Sequence, residues 1–268
     1  MDASTRDTTS FEQLLHEALT DPGLLSEAYR AFHRYSVGNQ LLAALQLRRR
    51  GARLAPIAAF HTWRTEHGRH VRKGEKALAL WMPLTIRKED LETGDVEVRR
   101  RFALKRHWFT LDQTDGPPFS AELTAPGWDA ATALAQLDIR EVPFEHLNGN
   151  VQGYATGRTL ALNPLSTLKH TTRFHELAHV VLGHTESGMR VDSAALDRTV
   201  EEVEAEGTAY LLCATLGLPG LEDSRAYVQH WLSGRPLPEQ AARRIFTAAD
   251  RILRAGAPVP VATASVAA

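Results

Sequence analysis

The segment HELAH at residues 175–179 constrains the fold of this chain more than any other part of the sequence. Residues four apart lie on one face of an α-helix, so a helix here brings the imidazoles of His175 and His179 together and puts Glu176 beside them. Apolar residues surround the segment, and Gly183 can end the helix. We therefore predict a buried helix over residues 168–183 whose polar face carries two histidines.

Two histidines at this spacing, with a glutamate next to the first, are typical of a zinc site. We predict that His175 and His179 bind one Zn²⁺ ion and that Glu176 acts as a general base that takes a proton from a metal-bound water. The alternative is two unrelated histidines and an exposed glutamate on a surface helix. The apolar neighbours of the segment disfavour that alternative.

A catalytic zinc site normally has three protein ligands and a water. His184 follows His179 by five residues, a spacing that favours a polar residue at the helix end over a ligand. On the next helical stretch Glu202 and Glu206 lie four residues apart. We predict Glu202 as the third ligand and Glu206 as the residue that orients an imidazole N–H. The alternative for this glutamate cluster is a solvated acidic face.

The formal net charge of −1 hides a strong asymmetry. Residues 30–110 carry 18 Lys and Arg against 7 Asp and Glu, whereas the segments before and after have balances of −5 and −7. Cations neutralise phosphates and aromatic rings stack on bases, so the mixture suits single-stranded DNA. It also fits a solubilising surface around aromatic core residues. The candidate DNA-binding residues are Phe60, Trp63, Arg69, Arg72, Lys73 and Lys76.

The order of apolar patterns predicts an α+β protein of two domains. Residues 1–116 combine helical spacing with strand-like runs at residues 77–82, 96–98 and 108–111, which predicts a small helical and β-stranded N-terminal domain. Residues 117–127 are rich in proline and polar residues, as is typical of a linker. Residues 128–255 are predicted to form the second domain. Because residues 256–268 show no helical spacing of apolar residues, we predict that they are a disordered tail.

Within the second domain, three short runs bounded by turn residues predict a small antiparallel sheet, at residues 142–147, 151–154 and 159–162. Helical stretches are predicted at residues 128–137, 168–183, 197–216, 222–232 and 238–254. The sequence contains no apolar run of about 20 residues and no secretory signal pattern, and its single cysteine, Cys213, excludes an internal disulfide. We therefore expect a cytoplasmic protein without a membrane partner.

Several motifs resemble ArdC-type antirestriction proteins. The N-terminal ones are Tyr35-Ser36-x-x-Asn39-x-Leu41-Leu42, Phe60-x-x-Trp63, Gly68-Arg69-x-Val71-x-Lys73-Gly74-Glu75-Lys76 and Gln113-Thr114-Asp115-Gly116. In the second domain, HELAH, EExEAE and Tyr227-Val228-x-x-Trp231 are similar to the zinc-metallopeptidase-like domain of that family, and residues 180–184 are closer to its ImmA/IrrE-like relatives. The resemblance covers about residues 11–254. It implies an N-terminal domain that binds single-stranded DNA and a zincin-like C-terminal domain.

The leading hypothesis is a protein that binds single-stranded DNA, carries a zinc-metallopeptidase-like domain and protects incoming DNA, as on plasmids and other mobile elements. The first alternative is a zinc peptidase of the ImmA/IrrE type that cleaves a protein substrate, with the basic domain serving only for recruitment to DNA. The second is a binding module whose HELAH site is structural. The intact Glu176 argues against the second, because a structural site needs no general base.

Overall fold

The computed structural model describes residues 9–89, 96–119, 125–145, 151–186, 195–234 and 236–258. The helices of these residues are α1 (Phe11–Thr20), α2 (Pro22–Phe32), α3 (Val37–Arg49), α4 (Phe60–Thr65), α5 (Ala130–Leu137), α6 (Lys169–Leu182), α7 (Ala195–Leu216), α8 (Leu221–Gly234) and α9 (Glu239–Ala255). The strands are β1 (Ile57–Ala59), β2 (His70–Val71), β3 (Leu78–Glu89), β4 (Val96–Thr110), β5 (Thr114–Asp115), β6 (Arg140–Glu141), β7 (Gly153–Thr156) and β8 (Thr159–Leu162). The class is α+β, as predicted.

Internal contacts divide the chain into two compact units. The first comprises the described residues of Met1–Thr9 and Glu27–Thr124, and the second comprises those of Ser10–Ser26 and Ala125–Ala268. The sequence predicted one continuous N-terminal domain over residues 1–116. The structure instead assigns Ser10–Ser26, and with it α1, to the second unit. The predicted linker lies partly, and the predicted tail mostly, outside the described residues.

Helix α1 belongs to the second unit because its apolar face is covered there. The ring centroid of Phe11 in α1 lies 5.6 Å from the ring centroid of Phe246 in α9. The carboxylate of Glu239 accepts hydrogen bonds from the backbone N–H groups of Phe11 and Glu12, at 3.0 and 3.2 Å, which satisfies donors that the first turn of a helix leaves free. The buried residues of α1 are Leu14, Leu15, Ala18 and Leu19.

The first unit is built on an antiparallel sheet in which β4 lies between β1 and β3. Two amide side chains of α3 pair with the free edge of β3: Asn39 exchanges two hydrogen bonds with the backbone of Trp81, and Gln46 exchanges two with that of Ala79. Alternate residues of an antiparallel strand present their N–H and C=O groups to the same edge. The amides therefore satisfy an edge that would otherwise be open to another strand.

The long hairpin of β3 and β4 differs from the prediction. The runs at residues 96–98 and 108–111 were predicted as separate strands, whereas β4 is continuous through the basic residues between them. Charged residues do not interrupt a strand whose side chains can reach solvent, and Lys105 and Arg106 in this stretch are exposed.

The second unit contains a three-stranded sheet in the order β6-β8-β7. Strands β7 and β8 form the predicted antiparallel hairpin, but β6 runs parallel to β8. The prediction of a wholly antiparallel sheet was therefore wrong, and the described part of the strand predicted at residues 142–147, residues 142–145, is not a strand. Because β6 follows α5 directly, it reaches the free edge of β8, where Arg140 donates its backbone N–H to the backbone oxygen of Arg158. The predicted turn at residues 148–150 lies outside the described residues.

Helices α6, α7 and α9 form the core that carries the HELAH segment. Helix α6 ends at Gly183, whose φ of 81° is left-handed and suits glycine, as the sequence predicted. Gly207 in α7 allows close approach to α9, since a Cβ there would lie 2.9 Å from Ile245 Cδ1. In the described part of the chain, no helix is long and apolar enough to cross a membrane.

Candidate metal centre

Helices α6 and α7 bring the three predicted ligands together. Nε2 of His175 and Nε2 of His179 lie 3.0 Å apart. Oε2 of Glu202 lies 3.5 Å from Nε2 of His175 and 3.6 Å from Nε2 of His179. Among the described residues, these three form the group of histidine and carboxylate side chains whose ligand atoms converge closely enough to hold a metal ion.

The donor set fits a divalent metal. With metal–ligand distances of about 2.0–2.1 Å, neighbouring ligand atoms of a tetrahedral zinc ion lie about 3.3 Å apart. The three distances of 3.0, 3.5 and 3.6 Å bracket this value. Two imidazole nitrogens that face each other at 3.0 Å cannot both carry a proton, which is consistent with lone pairs directed at a shared cation. The side chains of His175 and His179 are 20% and 14% exposed, so the centre lies near the surface.

Glu202 carries its negative charge readily in this position. Burial raises the pKa of its carboxyl, but the hydrogen bond and charge of His179, with the charge of His175, outweigh that effect and hold the pKa below its ordinary value. A carboxylate ligand must be ionised to bind metal. The side chain is 42% exposed, which leaves it accessible from solvent.

Glu176 is the buried carboxyl next to the triad. It is 7% exposed, and burial, opposed by the charge of His175 and assisted by the charges of Glu202 and Glu206, raises its pKa to about 7. A group with a pKa near neutrality can both accept and return a proton. In the metal-free protein, burial therefore favours the protonated form of Glu176 up to about neutral pH.

Strand β7 passes directly over Glu176. A Cβ built on Gly153 would lie 3.1 Å from Oε1 of Glu176 and 2.7 Å from Cγ2 of Thr172. Glycine is therefore required for the strand to pack this closely on α6. The sequence offered no signal for this contact, because Gly153 stands in an ordinary strand pattern.

Glu206 lies where the sequence predicted an orienting group. Its Oε1 is 3.3 Å from Nδ1 of His175, on the opposite side of the ring from the nitrogen that faces the triad. Nδ1 is buried and has no hydrogen-bond partner of suitable geometry among the described residues, so the carboxylate of Glu206 faces it as a close charged group and not as a hydrogen-bond acceptor. Burial raises the pKa of Glu206, but its contact with His175 and a hydrogen bond from Ser224 lower the pKa below the ordinary value. The carboxylate thus favours the tautomer of His175 that leaves Nε2 without a proton.

Three further residues near the centre were not predicted as site residues. Glu204 belongs to the glutamate cluster for which a solvated acidic face was the alternative, but it is buried and contacts both His184 and Arg244. His184 does not join the triad; its Nδ1 lies 3.0 Å from Nδ1 of His179. The tyrosine of the Tyr227-Val228-x-x-Trp231 motif lies on α8, where burial, then the charges of Glu202 and Glu206, raise its pKa.

Tyr154 and His230 are two further residues of the second unit whose side chains can donate a hydrogen bond. Tyr154 follows Gly153 on β7, and its ring centroid is 5.7 Å from that of Phe144. His230 is an exposed residue of α8. Tyr227 is a better candidate for a donor at the metal centre than either, since the charges of Glu202 and Glu206 reach its phenol.

In the first unit, the predicted DNA-binding residues divide into structural and exposed groups. Trp63 is fully buried and donates its indole N–H to the backbone oxygen of Phe109 at 2.9 Å. Its assignment as a stacking residue was therefore wrong, because no face of the ring is open to a base. Phe60 is 54% exposed and packs edge-on against Phe109, with ring centroids 6.0 Å apart.

Arg69 is engaged in the fold. Its guanidinium donates to the side-chain and backbone oxygens of Thr114, both at 2.8 Å, and to the backbone oxygens of Gly116 and Pro117. A Cβ on Gly116 would lie 2.9 Å from Cα of Arg69. These contacts hold β2 against β5 and account for two of the motifs noted in the sequence.

Two of the remaining predicted cations, Arg72 and Lys76, line a cleft of about 460 Å³. Arg72 lines it, but pairs with Glu75 at 2.8 Å and with Asp115 at 3.4 Å. Lys76 also lines it and is exposed, and Lys73 is exposed nearby in sequence. Lys73, Lys76 and Phe60 are therefore the predicted DNA-binding residues that are most accessible to a ligand.

Comparisons with known proteins agree with this architecture. No family profile of known proteins matches the sequence, and no curated protein matches it significantly. The metal-free structure of the antirestriction ArdC protein from the R388 plasmid aligns with 92% of this chain and 94% of its own, at 24% identity and a TM-score of 0.51. The Mn(II)-bound structure of that protein aligns with 92% of this chain and 97% of its own, at 22% identity and a TM-score of 0.53. The resemblance to ArdC-type proteins is thus confirmed at the level of the fold, and this chain has an ArdC-like α+β fold.

Proposed function

We propose that the second unit is a metal-dependent hydrolase of the zincin-like, metallopeptidase class. The convergence of His175, His179 and Glu202 beside a buried Glu176 carries the proposal. A two-histidine, one-glutamate donor set with a neighbouring carboxyl is the arrangement of many zinc peptidases, which favours Zn²⁺ as the ion. The Mn(II)-bound ArdC structure supports a divalent metal at this fold.

Each residue has a distinct part in the proposed reaction. Zinc, when bound, supplies Lewis acidity and lowers the pKa of a coordinated water. Glu176 would take the proton of the attacking water and return it to the leaving amine, a role that its buried position beside the three ligands supports. Glu206 orients His175 through Nδ1. Tyr227, whose phenol feels the charges of Glu202 and Glu206, would donate its O–H to the developing oxyanion.

The proposal is tested with a peptide library, since no single substrate need be chosen in advance. Zinc-loaded wild type is incubated with peptides derived from a bacterial proteome, and new amino termini are identified by mass spectrometry. Glu176→Gln is the matched control, because it keeps the shape of the side chain but cannot accept a proton. We expect cleavage by the wild type alone. Equal cleavage by both proteins, or none by either, rejects the peptidase function.

A second function, binding of single-stranded DNA, is favoured by the exposed surface of the first unit. Phe60 offers an open aromatic ring, and exposed cations stand on the same unit at Lys73, Lys76, Lys105 and Arg106. This combination of rings for bases and charges for phosphates serves single strands of any sequence. Fluorescence anisotropy of the full chain with labelled single-stranded and duplex oligonucleotides tests it. Tighter binding to the single strand is expected, and equal affinity for the two contradicts it.

The two functions together suggest a cytoplasmic antirestriction-type protein that acts on incoming DNA. The fold shared with ArdC supports this role. If DNA binding serves only to recruit the hydrolase to a protein substrate, Glu176→Gln will abolish protection of unmodified DNA in a restriction-proficient host. If DNA binding itself protects, that variant will protect as well as the wild type. The frequency of transformation or conjugation measures the difference.

A further inference from the structure

A buried chain of polar groups leads away from the metal centre on the side of His179. Nδ1 of His179 lies 3.0 Å from Nδ1 of His184, and Nε2 of His184 lies 2.9 Å from Oε2 of Glu204. The carboxylate of Glu204 accepts from Nε of Arg244 at 2.9 Å. The side chains of His184 and Glu204 are 4% and 5% exposed. The chain joins the end of α6 to α7 and α9.

The proton positions in this chain can be assigned from its two ends. Arg244 is always a donor, so the Glu204 carboxylate accepts from it and also from Nε2–H of His184. His184 is then an acceptor at Nδ1, and His179 donates its Nδ1–H. This leaves Nε2 of His179 without a proton, directed at His175 and Glu202. Each of the short contacts in the chain then joins a donor to an acceptor. Nη2 of Arg244 also lies 3.4 Å from Nε2 of His184, but it donates at 2.9 Å to the backbone oxygen of Leu182. The assignment yields the tautomer that a metal ligand requires.

We propose that His184, Glu204 and Arg244 are positioning residues that fix the tautomer and orientation of His179 for metal binding. This inference rests on the proposed metal site but not on the identity of any substrate. The two histidine ligands are then held differently: a carboxylate faces His175 directly, whereas an imidazole stands between His179 and its carboxylate.

The geometry argues against a purely structural ion pair. Glu204 and Arg244 need no imidazole to satisfy each other, and Arg244 has a further acceptor in the backbone oxygen of Leu182 at 2.9 Å. Burying Glu204 and His184 requires that each of their polar atoms be paired. The second nitrogen of His184 is paired with a ligand of the centre, which places the whole chain in contact with the metal site.

Replacement of His184 by two residues of similar size separates positioning from packing. Asn carries an oxygen close to the position of the imidazole Nδ1 and can still accept from His179, whereas Leu cannot. Zinc affinity of the full-length protein is measured by competition with a chromophoric chelator, and Co²⁺ substitution reports ligand geometry through its visible spectrum. We expect His184→Leu to weaken zinc binding about 10- to 100-fold and to alter the Co²⁺ spectrum. His184→Asn should stay within a few-fold of wild type.

Two further variants guard against loss of folding. Glu204→Gln keeps the size of the side chain and is expected to weaken zinc binding several-fold. Glu222 is an exposed residue of α8, and Glu222→Gln should leave the zinc affinity unchanged. Thermal unfolding in the presence of chelator measures the fold independently of metal. Wild-type zinc affinity in both His184→Leu and Glu204→Gln overturns the inference, as does equal weakening in the Leu and Asn variants. If His184→Leu does not fold, Glu204→Gln decides. Absence of zinc from the wild type would instead reject the metal site itself.

Discussion

Gly153 lies so close to Glu176 that a methyl group on the glycine would come within 3.1 Å of the carboxylate Oε1. We predict that Gly153→Ala displaces Glu176 and lowers hydrolysis by roughly 10- to 100-fold, because small misplacement of a reacting group is costly. Zinc content should be unchanged, since the ligands lie on α6 and α7. Gly127→Ala is the matched control, because a Cβ there meets no atom within 4 Å. Wild-type turnover by Gly153→Ala would show that β7 does not position the base.

Glu202 and Glu176 should respond differently to the same substitution. Glu202→Gln removes a charged ligand and is expected to weaken zinc binding at least about tenfold. Glu176→Gln should leave zinc binding unchanged but abolish hydrolysis. His175→Ala and His179→Ala should lose the metal and with it the stability that binding adds to the fold. Elemental analysis after chelator-free purification, together with thermal unfolding, measures both effects. Unchanged zinc content in Glu202→Gln would assign the third ligand elsewhere.

The raised pKa of Glu176 makes stability of the metal-free protein depend on pH. The folded protein keeps this proton up to about pH 7, whereas the unfolded chain releases it near 4.5. The folded state therefore binds more protons between these values, and stability falls as pH rises through the window, by roughly 3 kcal/mol in all. Glu176→Gln does not show this fall. In chelator, the melting temperature of this variant relative to wild type should increase between pH 5 and pH 8, and ionisable groups that do not interact with Glu176 cancel in the comparison.

Two substitutions separate stacking from charge in DNA binding by the full chain. Phe60→Ala should weaken binding of single-stranded DNA by about 1–3 kcal/mol without changing its salt dependence. Lys73→Ala with Lys76→Ala should flatten the slope of log K against log salt by about 0.7 for each phosphate that is no longer neutralised. Leu165→Ala and Lys169→Ala, exposed residues of the second unit, serve as controls. If the controls weaken binding as much as the test variants, the first unit is not the binding surface.

The hydrogen bond that Tyr210 donates to the backbone oxygen of Ala18, at 2.7 Å, holds α1 to α7. Tyr210→Phe keeps the ring but leaves a buried carbonyl without this donor. The free energy of unfolding of the second unit should therefore fall by about 1 kcal/mol. Denaturant titration followed by circular dichroism measures the change. A fragment that starts at residue 125 lacks α1 altogether and should be much less stable than the second unit of the whole chain.

The local features of the candidate site were largely predictable. The helix expected over residues 168–183 is α6, Lys169–Leu182, with Gly183 at its end, and the stretches expected at residues 197–216 and 238–254 are α7 and α9 within two residues at either end. A helix depends on hydrogen bonds between residues four apart and on a repeated apolar face. Both features depend only on residues that are close in sequence, so a short segment is enough to predict them. The pairing of His175 with His179 follows from the same geometry.

Contacts between distant segments were not predictable in this way. Trp63 was expected at the DNA surface and is core, the buried contacts of Glu204 were not predicted, and α1 packs on a helix more than 200 residues away. Composition and spacing show that a residue can be buried or charged, but not which surface will cover it or which partner will neutralise it. By itself, the sequence determined the helices and the set of groups able to bind metal. Only tertiary packing decided which carboxylates face the histidines and which cations remain open to a ligand, because these choices depend on surfaces that meet after the elements have formed.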